Sequence, residues 1–164
     1  NEVGMKVALV QNHPHFKSVD ESIRRADHLF SRVDENELNS VDLIVFPELA
    51  LTGYCFDDKD DINLFCDLIS SKDVGKAMIL DDFEDISRIK SVYYGAQIAK
   101  KYNSNVIMGF PRFDNETNLY HNSIALISKD GLLLHLYDKK HLYYTDETWA
   151  TEGSNWSLYN STRT

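Results

Sequence analysis

Cysteine is scarce in this sequence, with two residues, Cys55 and Cys66, among 164. Two cysteines cannot build the disulfide framework of a small secreted domain, so a reducing compartment and a cytoplasmic protein are expected. Their spacing relative to His13 and His15 does not match a zinc site, so no metal is expected. The seven glycines form no phosphate-binding loop, so the sequence gives no sign of a nucleotide cofactor.

Basic residues are also in deficit, with 17 Lys and Arg against 26 Asp and Glu and a net charge of −9. Nucleic acids and anionic membranes bind surfaces with clustered lysine and arginine. The late part of the chain has a single basic pair, Lys139-Lys140. A nucleic-acid or membrane partner is therefore excluded at this stage, and no apolar run approaches the roughly 20 residues of a membrane span.

What the chain does have is apolar patterning in its first third. Met5–Val10 and Asp42–Phe46 are short apolar runs that predict buried strands. Between them a stripe at helical spacing, with Ser18 placed as its cap, predicts an amphipathic helix through Val19, Ile23, Ala26, Phe30 and Val33. Strand, helix and strand with short links predict a parallel pair with a right-handed crossover.

The pattern changes further along. The acidic stretch 57–85 predicts one short helix within a surface excursion, and a second helical stripe runs from Ile86 to Tyr102. Val106–Phe110, closed by Pro111, predicts a strand. Asp130-Gly131 between two more apolar runs predicts an antiparallel hairpin of Ser123–Ile127 and Leu132–Leu136. The fold class is therefore α/β in a single domain.

Glu48 is the first candidate for chemistry, because it follows a buried strand and Pro47 directly. Ligands bind at the carboxyl ends of strands in open α/β sheets. A glutamate there, against apolar neighbours, is expected to have a raised pKa and to act as a base. The alternative is that Glu48 caps the turn that follows it.

Lys139 is the second candidate, at the end of another apolar strand. A lysine near a carboxylate can stabilise an oxyanion, while the alternative is a solvated basic turn. Cys55 lies between aromatic neighbours and close to two aspartates, which would raise a thiol pKa. We therefore interpret Cys55 and Cys66 as packing residues.

Taken together, these segments resemble the nitrilase, or carbon–nitrogen hydrolase, superfamily over essentially the whole chain. The resemblance is carried by the opening strand, by the block from Asp42 to Tyr54 around Phe46-Pro-Glu-Leu, by Val106–Pro111, by Tyr120–Ala125, and by Tyr137-Asp-Lys-Lys-His-Leu142. The last block is similar to the family's Tyr-Arg-Lys-x-His-Leu, with Asp138 where an arginine is usual. It aligns Lys139, and not Lys140, with the catalytic lysine.

The resemblance implies a four-layer αββα sandwich, incomplete here, and a Glu-Lys-Cys triad that needs no cofactor or metal. Glu48 would be the base, Lys139 would stabilise the oxyanion, and Glu152 in Thr-Glu-Gly would be a second, supporting glutamate, with Glu147 as its competitor. Glu48 and Lys139 must then point into one cleft.

The family's nucleophile lies beyond the lysine block, yet no cysteine follows Lys139 here. Residues 1–164 are therefore expected to be the N-terminal portion of one hydrolase domain, inactive alone. Leu-Ala-Leu-Thr-Gly-Tyr54 and Lys139-x-x-Leu-Tyr-x-Thr-x-x-x-Trp149 are most similar to the eukaryotic protein N-terminal amidase branch of the N-degron pathway, which implies a peptide substrate. A small-molecule amidase or nitrilase, a truncated interaction module, and a homo-oligomer remain open.

Overall fold

The computed structural model describes residues 4–78, 85–154 and 159. Six of its strands form one mixed sheet in the order β1-β2-β4-β5-β6, with β3 paired to the far end of β4. The strands are β1 Val7–Leu9, β2 Leu43–Val45, β3 Asp67–Leu68, β4 Asn105–Asp114, β5 Leu119–Ile127 and β6 Leu133–Asp138.

The helices connect the parallel strands. They are α1 Val19–Phe30, α2 Glu35–Asn39, α3 Lys59–Asn63 and α4 Lys90–Tyr102, with short 3-10 turns at Ser71–Asp73, Ile86–Arg88 and Asp146–Thr148. None of the helices in the described part of the chain has the length and apolar character needed to cross a membrane.

The parallel half of the sheet confirms the predicted strand–helix–strand unit. β1 pairs with β2, and β2 with β4, both in parallel. The two strands are shorter than their apolar runs, and α1 ends at Phe30, before Val33. Ser18 occupies the position before α1 but its side chain makes no cap hydrogen bond. The irregular stretch contains α3 and β3, while its residues 79–84 lie outside the described residues.

The antiparallel half contains the predicted hairpin, in which Gly131 adopts a φ of 83°. The prediction that Pro111 closes β4 is wrong, because the strand continues to Asp114. Ile107 and Gly109 direct their carbonyl groups away from β5, towards Phe46 and Ala50. Pro111 shares that direction, so its missing N–H faces the gap between β2 and β3 and removes no bond to β5.

The main core lies between the sheet and the helices. Phe30 contacts the rings of Phe46 and Tyr102, and Phe46 contacts Tyr94, so α1, α4 and the end of β2 share one aromatic cluster. Gly95 of α4 lies directly on the sheet, where an added Cβ would come within 2.8 Å of Ile127 Cδ1. Close packing of this kind fixes the helix layer against the strands.

The opposite face of the sheet carries apolar side chains that the described residues leave uncovered. Leu9 is 78% exposed, Val7 44% and Ile124 38%, and Val45 and Ile107 are only half-buried. A sheet with one helix layer and one bare apolar face is half of a sandwich. The predicted fold class, an incomplete αββα arrangement, is therefore confirmed.

Asp67 of β3 caps α4 from a distant part of the chain. Its carboxylate accepts hydrogen bonds from Ser91 N at 3.2 Å and Val92 N at 2.8 Å, in the first turn of α4. The side chain is fully buried, and this burial, opposed by those two hydrogen bonds, raises the pKa of Asp67 to about 7. Asp67 is therefore only partly ionised near neutral pH, so the favourable interaction of a negative charge with the N-terminus of α4 is reduced.

This cap predicts an unusual pH dependence of stability. The folded pKa of Asp67 exceeds its unfolded value, so its contribution is fully present below about pH 4 and declines as pH rises through 7, by about 4 kcal/mol in total. Asp67→Asn should remove this part of the slope in denaturant unfolding between pH 4 and 8. Asp130→Asn, in the exposed hairpin turn, is the matched control, and an unchanged slope in Asp67→Asn would contradict the prediction.

Candidate active site

Glu48 lies in a tight loop immediately after β2. The loop is bound to β4 through its backbone, with Phe46 N donating to Ile107 O at 2.8 Å and Ala50 N donating to Gly109 O at 3.0 Å. Leu49, which follows Glu48, is buried and has a φ of 46°, a left-handed conformation that is costly for a leucine. The loop thus turns sharply at Glu48 and directs its carboxylate over the bare face of the sheet.

Gly109 makes this arrangement possible. A Cβ at position 109 would lie 2.4 Å from Pro47 O and 2.8 Å from Glu48 Cα. Both neighbours are backbone atoms of the loop, which cannot move aside as a flexible side chain could. Gly109 is therefore required for close approach of two backbones, a role that glycine serves in strands.

Lys139 follows β6 directly and meets Glu48 from the other side of the site. Its backbone N–H donates to Asn122 O at 2.8 Å, and its carbonyl accepts from Gly153 N at 2.9 Å. Its ammonium Nζ lies 2.7 Å from Glu48 Oε1. The structure therefore brings the two sequence-predicted residues into one cleft, although 91 positions separate them.

Asp146 is the third charged member of the site. Its Oδ2 lies 2.7 Å from Lys139 Nζ, and it also accepts from Tyr143 N at 3.3 Å. Asp146 is 1% exposed, in the 3-10 turn Asp146–Thr148. One ammonium group is thus held between a buried carboxylate and a more exposed one.

Asn122, on the sheet, contacts the carboxylates of both Glu48 and Asp146. Its Nδ2 donates to Glu48 Oε1 at 2.6 Å and lies 3.4 Å from Asp146 Oδ2. Asn122 is buried on β5, opposite Pro111 of β4. Because its donors are fixed by the sheet, it restrains the carboxylate of Glu48 in the same position as Lys139 does.

The ionisation of Glu48 differs from expectation. Burial raises its pKa, but hydrogen bonds from Lys139, Tyr54 and Asn122 and the charge of Lys139 outweigh burial and bring the pKa below its ordinary value. The expected raised pKa is therefore wrong, because a cation and hydrogen-bond donors, not apolar groups, surround the carboxylate. Glu48 is ionised at neutral pH and can accept a proton.

Lys139 is stabilised in its charged form by the same contacts. Burial lowers its pKa, but hydrogen bonds to Asp146 and Glu48 and their charges outweigh it and raise the pKa above the ordinary value. The site therefore presents a permanent ammonium group, the species that can stabilise developing negative charge.

The structure does not bring Glu152 or Glu147 to Lys139. Both are exposed, and the carboxylates next to Lys139 Nζ are those of Glu48 and Asp146. Within Thr151-Glu-Gly153 the backbone makes the contacts, since Thr151 N donates to Tyr120 O and Gly153 N to Lys139 O. A Cβ at Gly153 would lie 2.2 Å from Asp138 O, so this segment packs directly against the backbone of Asp138 and Lys139.

The two cysteines differ in exposure. Cys55 is exposed, so its interpretation as a packing residue is wrong; its φ of 73° places it in the tight turn after Gly53 with its side chain outside the core. Cys66 is largely buried, and burial raises the pKa of its thiol, which disfavours a thiolate.

The site opens onto a cavity of about 310 Å³ on the bare face of the sheet. Glu48, Asn122 and Lys139 form its polar side, and its floor is mainly apolar, with Val45, Ile107, Ile124 and Tyr137 among the lining residues. Within residues 4–78, 85–154 and 159, no group of three or more His, Cys, Asp or Glu side chains lies close enough to hold a metal ion. A base and a fixed cation over an apolar floor can polarise a carbonyl group and move protons.

Sequence reasoning missed Asn122 and Asp146 as members of the site. Asn122 lies within the segment Tyr120–Ala125, which carried part of the family resemblance, and this was the available signal. Asp146 lay among several acidic residues after Lys139, and linear spacing did not separate it from Glu147 and Glu152.

The chain is similar to known proteins over nearly its whole length. The chain is 34% identical to the protein N-terminal amidase of Schizosaccharomyces pombe over 156 residues, which cover 94% of this chain and 49% of the relative. It is 30% identical to the protein N-terminal amidase of Saccharomyces cerevisiae, covering 92% of this chain and 29% of that protein. It superposes on a crystal structure of an N-terminal amidase with a Gln-Gly peptide, with a TM-score of 0.71, 28% identity, and coverage of 90% of this chain and 31% of that one.

The chain thus spans about half or less of the length of these relatives. The sequence model of the carbon–nitrogen hydrolase family matches residues 6–161, nearly the whole chain. On this evidence the chain belongs to the carbon–nitrogen hydrolase family.

Proposed function

We propose that this chain is the N-terminal portion of a single carbon–nitrogen hydrolase domain that deamidates N-terminal Asn and Gln residues of proteins. The observation that carries the proposal is the contact of 2.7 Å between Lys139 Nζ and Glu48 Oε1, at the mouth of a cavity. An ionised carboxylate beside a fixed ammonium is the part of an amidase site that does not require the nucleophile itself.

In the proposed reaction the remainder of the domain supplies a cysteine. Glu48 accepts the thiol proton, and the thiolate attacks the carbonyl carbon of the side-chain amide. Lys139 stabilises the oxyanion of the tetrahedral intermediate, and Glu48 returns the proton to the leaving nitrogen as ammonia departs. Water, deprotonated by Glu48, then attacks the thioester carbon. The C–S bond breaks, the acid is released, and the cysteine sulfur recovers the proton from Glu48. The sum is amide plus water to acid plus ammonia.

Asp146 takes the supporting role that the resemblance assigned to Glu152. Its buried carboxylate holds Lys139 Nζ from the side away from the cavity opening, at 2.7 Å. The ammonium therefore keeps one partner when Glu48 is protonated during the reaction. Asp146 thus keeps Lys139 charged and in position, and touches no substrate atom in this scheme.

The relatives support a peptide substrate. The curated proteins with 34% and 30% identity are protein N-terminal amidases, and the solved N-terminal amidase structures include complexes with Gln-Gly and Asn-Glu-Ala peptides. The proposal places the protein in the cytoplasm, where the N-degron pathway acts on such peptides. The Schizosaccharomyces pombe protein named "Probable nitrilase C965.09" is 27% identical, so small amides and nitriles are included in the test.

The test is an ammonia-release assay on the full-length enzyme that contains this segment. Peptides that begin with Gln or Asn should be hydrolysed, while their N-acetylated forms, a small primary amide and a nitrile should not. Faster hydrolysis of the small amide or nitrile would assign a small-molecule enzyme, and no release from any compound would favour a binding module. The 164-residue chain assayed alone should release no ammonia.

The supporting role of Asp146 gives a second prediction. Asp146→Asn should lower kcat of the full-length enzyme by about 10-fold to 100-fold, the range seen when a group that orients a catalytic residue is lost. Glu152→Gln removes the same charge from an exposed position and should leave kcat unchanged. The opposite ranking of the two variants would return the supporting role to Glu152.

A further inference from the structure

The pairing of β5 with β6 contains a shift of one residue. At the site end Ser123 lies opposite Asp138 and Leu126 opposite His135, whereas beyond the shift Ile127 lies opposite Leu133. Leu134 is therefore the extra residue of a β-bulge. The hairpin follows the unshifted register, with Ser128 N donating to Leu132 O at 2.8 Å.

The bulge decides which residue faces Glu48. In the observed register Lys139 N binds Asn122 O, so Lys139 lies opposite Asn122 and shares its face of the sheet. If the hairpin register continued without the bulge, Asp138 would lie opposite Asn122 instead. Asp138 would then face the two carboxylates of the site, and Lys139 would turn towards the helix side.

Apolar burial selects only weakly between these registers. β6 and the residue before it carry leucine at four of five consecutive positions, Leu132, Leu133, Leu134 and Leu136. Leu136 packs against the main core in the observed register, and His135 would replace it in the alternative, while Leu133 keeps its place in both. Along β6, Leu133 is buried and the following residues are all half-buried. A strand without clear alternation specifies its register weakly.

Asp138 is held on the helix side by a buried arginine. Arg112 Nε and Nη2 donate to the two oxygens of Asp138 at 3.1 Å and 2.7 Å, and Ser123 Oγ donates to Asp138 at 2.6 Å. The Arg112 side chain is 5% exposed, and its Nη1 binds Ile69 O and lies 3.1 Å from Asp114. In the alternative register Lys139 would face Arg112, cation against cation.

We infer that Arg112 is a positioning residue, which through its paired hydrogen bonds to Asp138 holds β6 in the bulged register that presents Lys139 to Glu48. Fixing register is the best-supported use of a buried ion pair, since such pairs contribute little net stability. The catalytic meaning of this role rests on the function proposed above, while the strand register itself does not.

The test measures strand register by nuclear magnetic resonance on the labelled full-length enzyme that contains this segment. The wild type should show cross-strand contacts of Asn122 with Lys139 alone. Arg112→Met/Asp138→Leu removes both charges of the pair together, while Asp114 keeps its hydrogen bond from Glu116 N. The variant should add a second set of contacts, between Asn122 and position 138. In those molecules the pKa of Lys139 should fall towards its ordinary value, which loss of stability alone would not cause.

Asp114→Asn is the control, since it removes another partner of Arg112 without touching β6, and it should keep one register. If the double variant does not fold, Arg112→Gln/Asp138→Asn decides, because it removes both charges with polar side chains of similar length; it too should show the second set. A single wild-type register in the variant that decides would overturn the inference. Because no hydrolysis is measured, failure of the proposed function would leave this result interpretable.

Discussion

Glu48→Gln is expected to lower kcat/KM of the full-length enzyme on a peptide with N-terminal Gln by about 10² to 10⁴, the contribution of a general base. In the wild type, Lys139 Nζ lies 2.7 Å from Glu48 Oε1. Glutamine has nearly the same shape as glutamate, and its side-chain oxygen can still accept this hydrogen bond. It cannot accept the thiol proton or return it to the leaving nitrogen. Ammonia release under saturating and limiting peptide measures both kcat and KM.

The pH profile sharpens this prediction. Because the pKa of Glu48 lies below its ordinary value, the wild-type rate should be maintained at neutral pH and fall only as pH drops through the acidic range. This acidic decline should be absent from the residual rate of Glu48→Gln. Glu147→Gln, an exposed change of the same kind, should match the wild type. A wild-type rate in Glu48→Gln would contradict the proposed mechanism.

Lys139→Met is expected to lower kcat by about 10² to 10³, the loss that follows removal of one oxyanion donor. Methionine fills a similar volume but leaves Glu48 and Asp146 as two carboxylates with no cation between them. The variant should therefore also be less stable than the wild type in denaturant unfolding. Its kcat should be measured well below the unfolding midpoint, so that the two effects are separate.

Lys140→Met is the matched control for Lys139→Met. Lys140 is the next residue along the chain, but its Nζ donates to Ser154 O at 3.0 Å and takes no part in the site. The control should retain wild-type kcat. If Lys140→Met lost activity and Lys139→Met did not, the assignment of the oxyanion stabiliser would be reversed and the register argued above would be wrong in solution.

The sheet could be predicted where local pattern and tertiary structure agree. Short apolar runs bounded by polar residues gave β1 and β2, and the Asp130-Gly131 turn gave the hairpin, because turn chemistry is local. The end of β4 could not be predicted from Pro111. Whether a proline ends a strand depends on which neighbour its missing N–H would face, and this is known only from the assembled sheet.

The site was predictable to the extent that its residues follow strands directly. Glu48 and Lys139 could be recognised because each comes at the end of an apolar run, in a segment resembling the family. Asp146 could not be separated from Glu147 and Glu152, since only the turn at Asp146–Thr148 determines which carboxylate points inwards. The pKa of Glu48 was misjudged for the same reason, because its neighbours in sequence are apolar while its neighbours in space are charged.

Asp138 shows the limit of reading one segment at a time. It stands where the family usually has an arginine, and the segment Tyr137–Leu142 contains no sign of the residue that pairs with it. Its partner, Arg112, lies 26 residues earlier on another strand. Which charged side chains pair across the sheet can be determined only when the register of its strands is known.

The close contact between Gly109 and the Glu48 loop restricts which residue can occupy position 109. The Glu48 loop is placed by one main chain packed directly on another, with no side chain between them. Even one methyl group at position 109 would therefore push the loop off the strand and carry the Glu48 carboxylate away from Lys139.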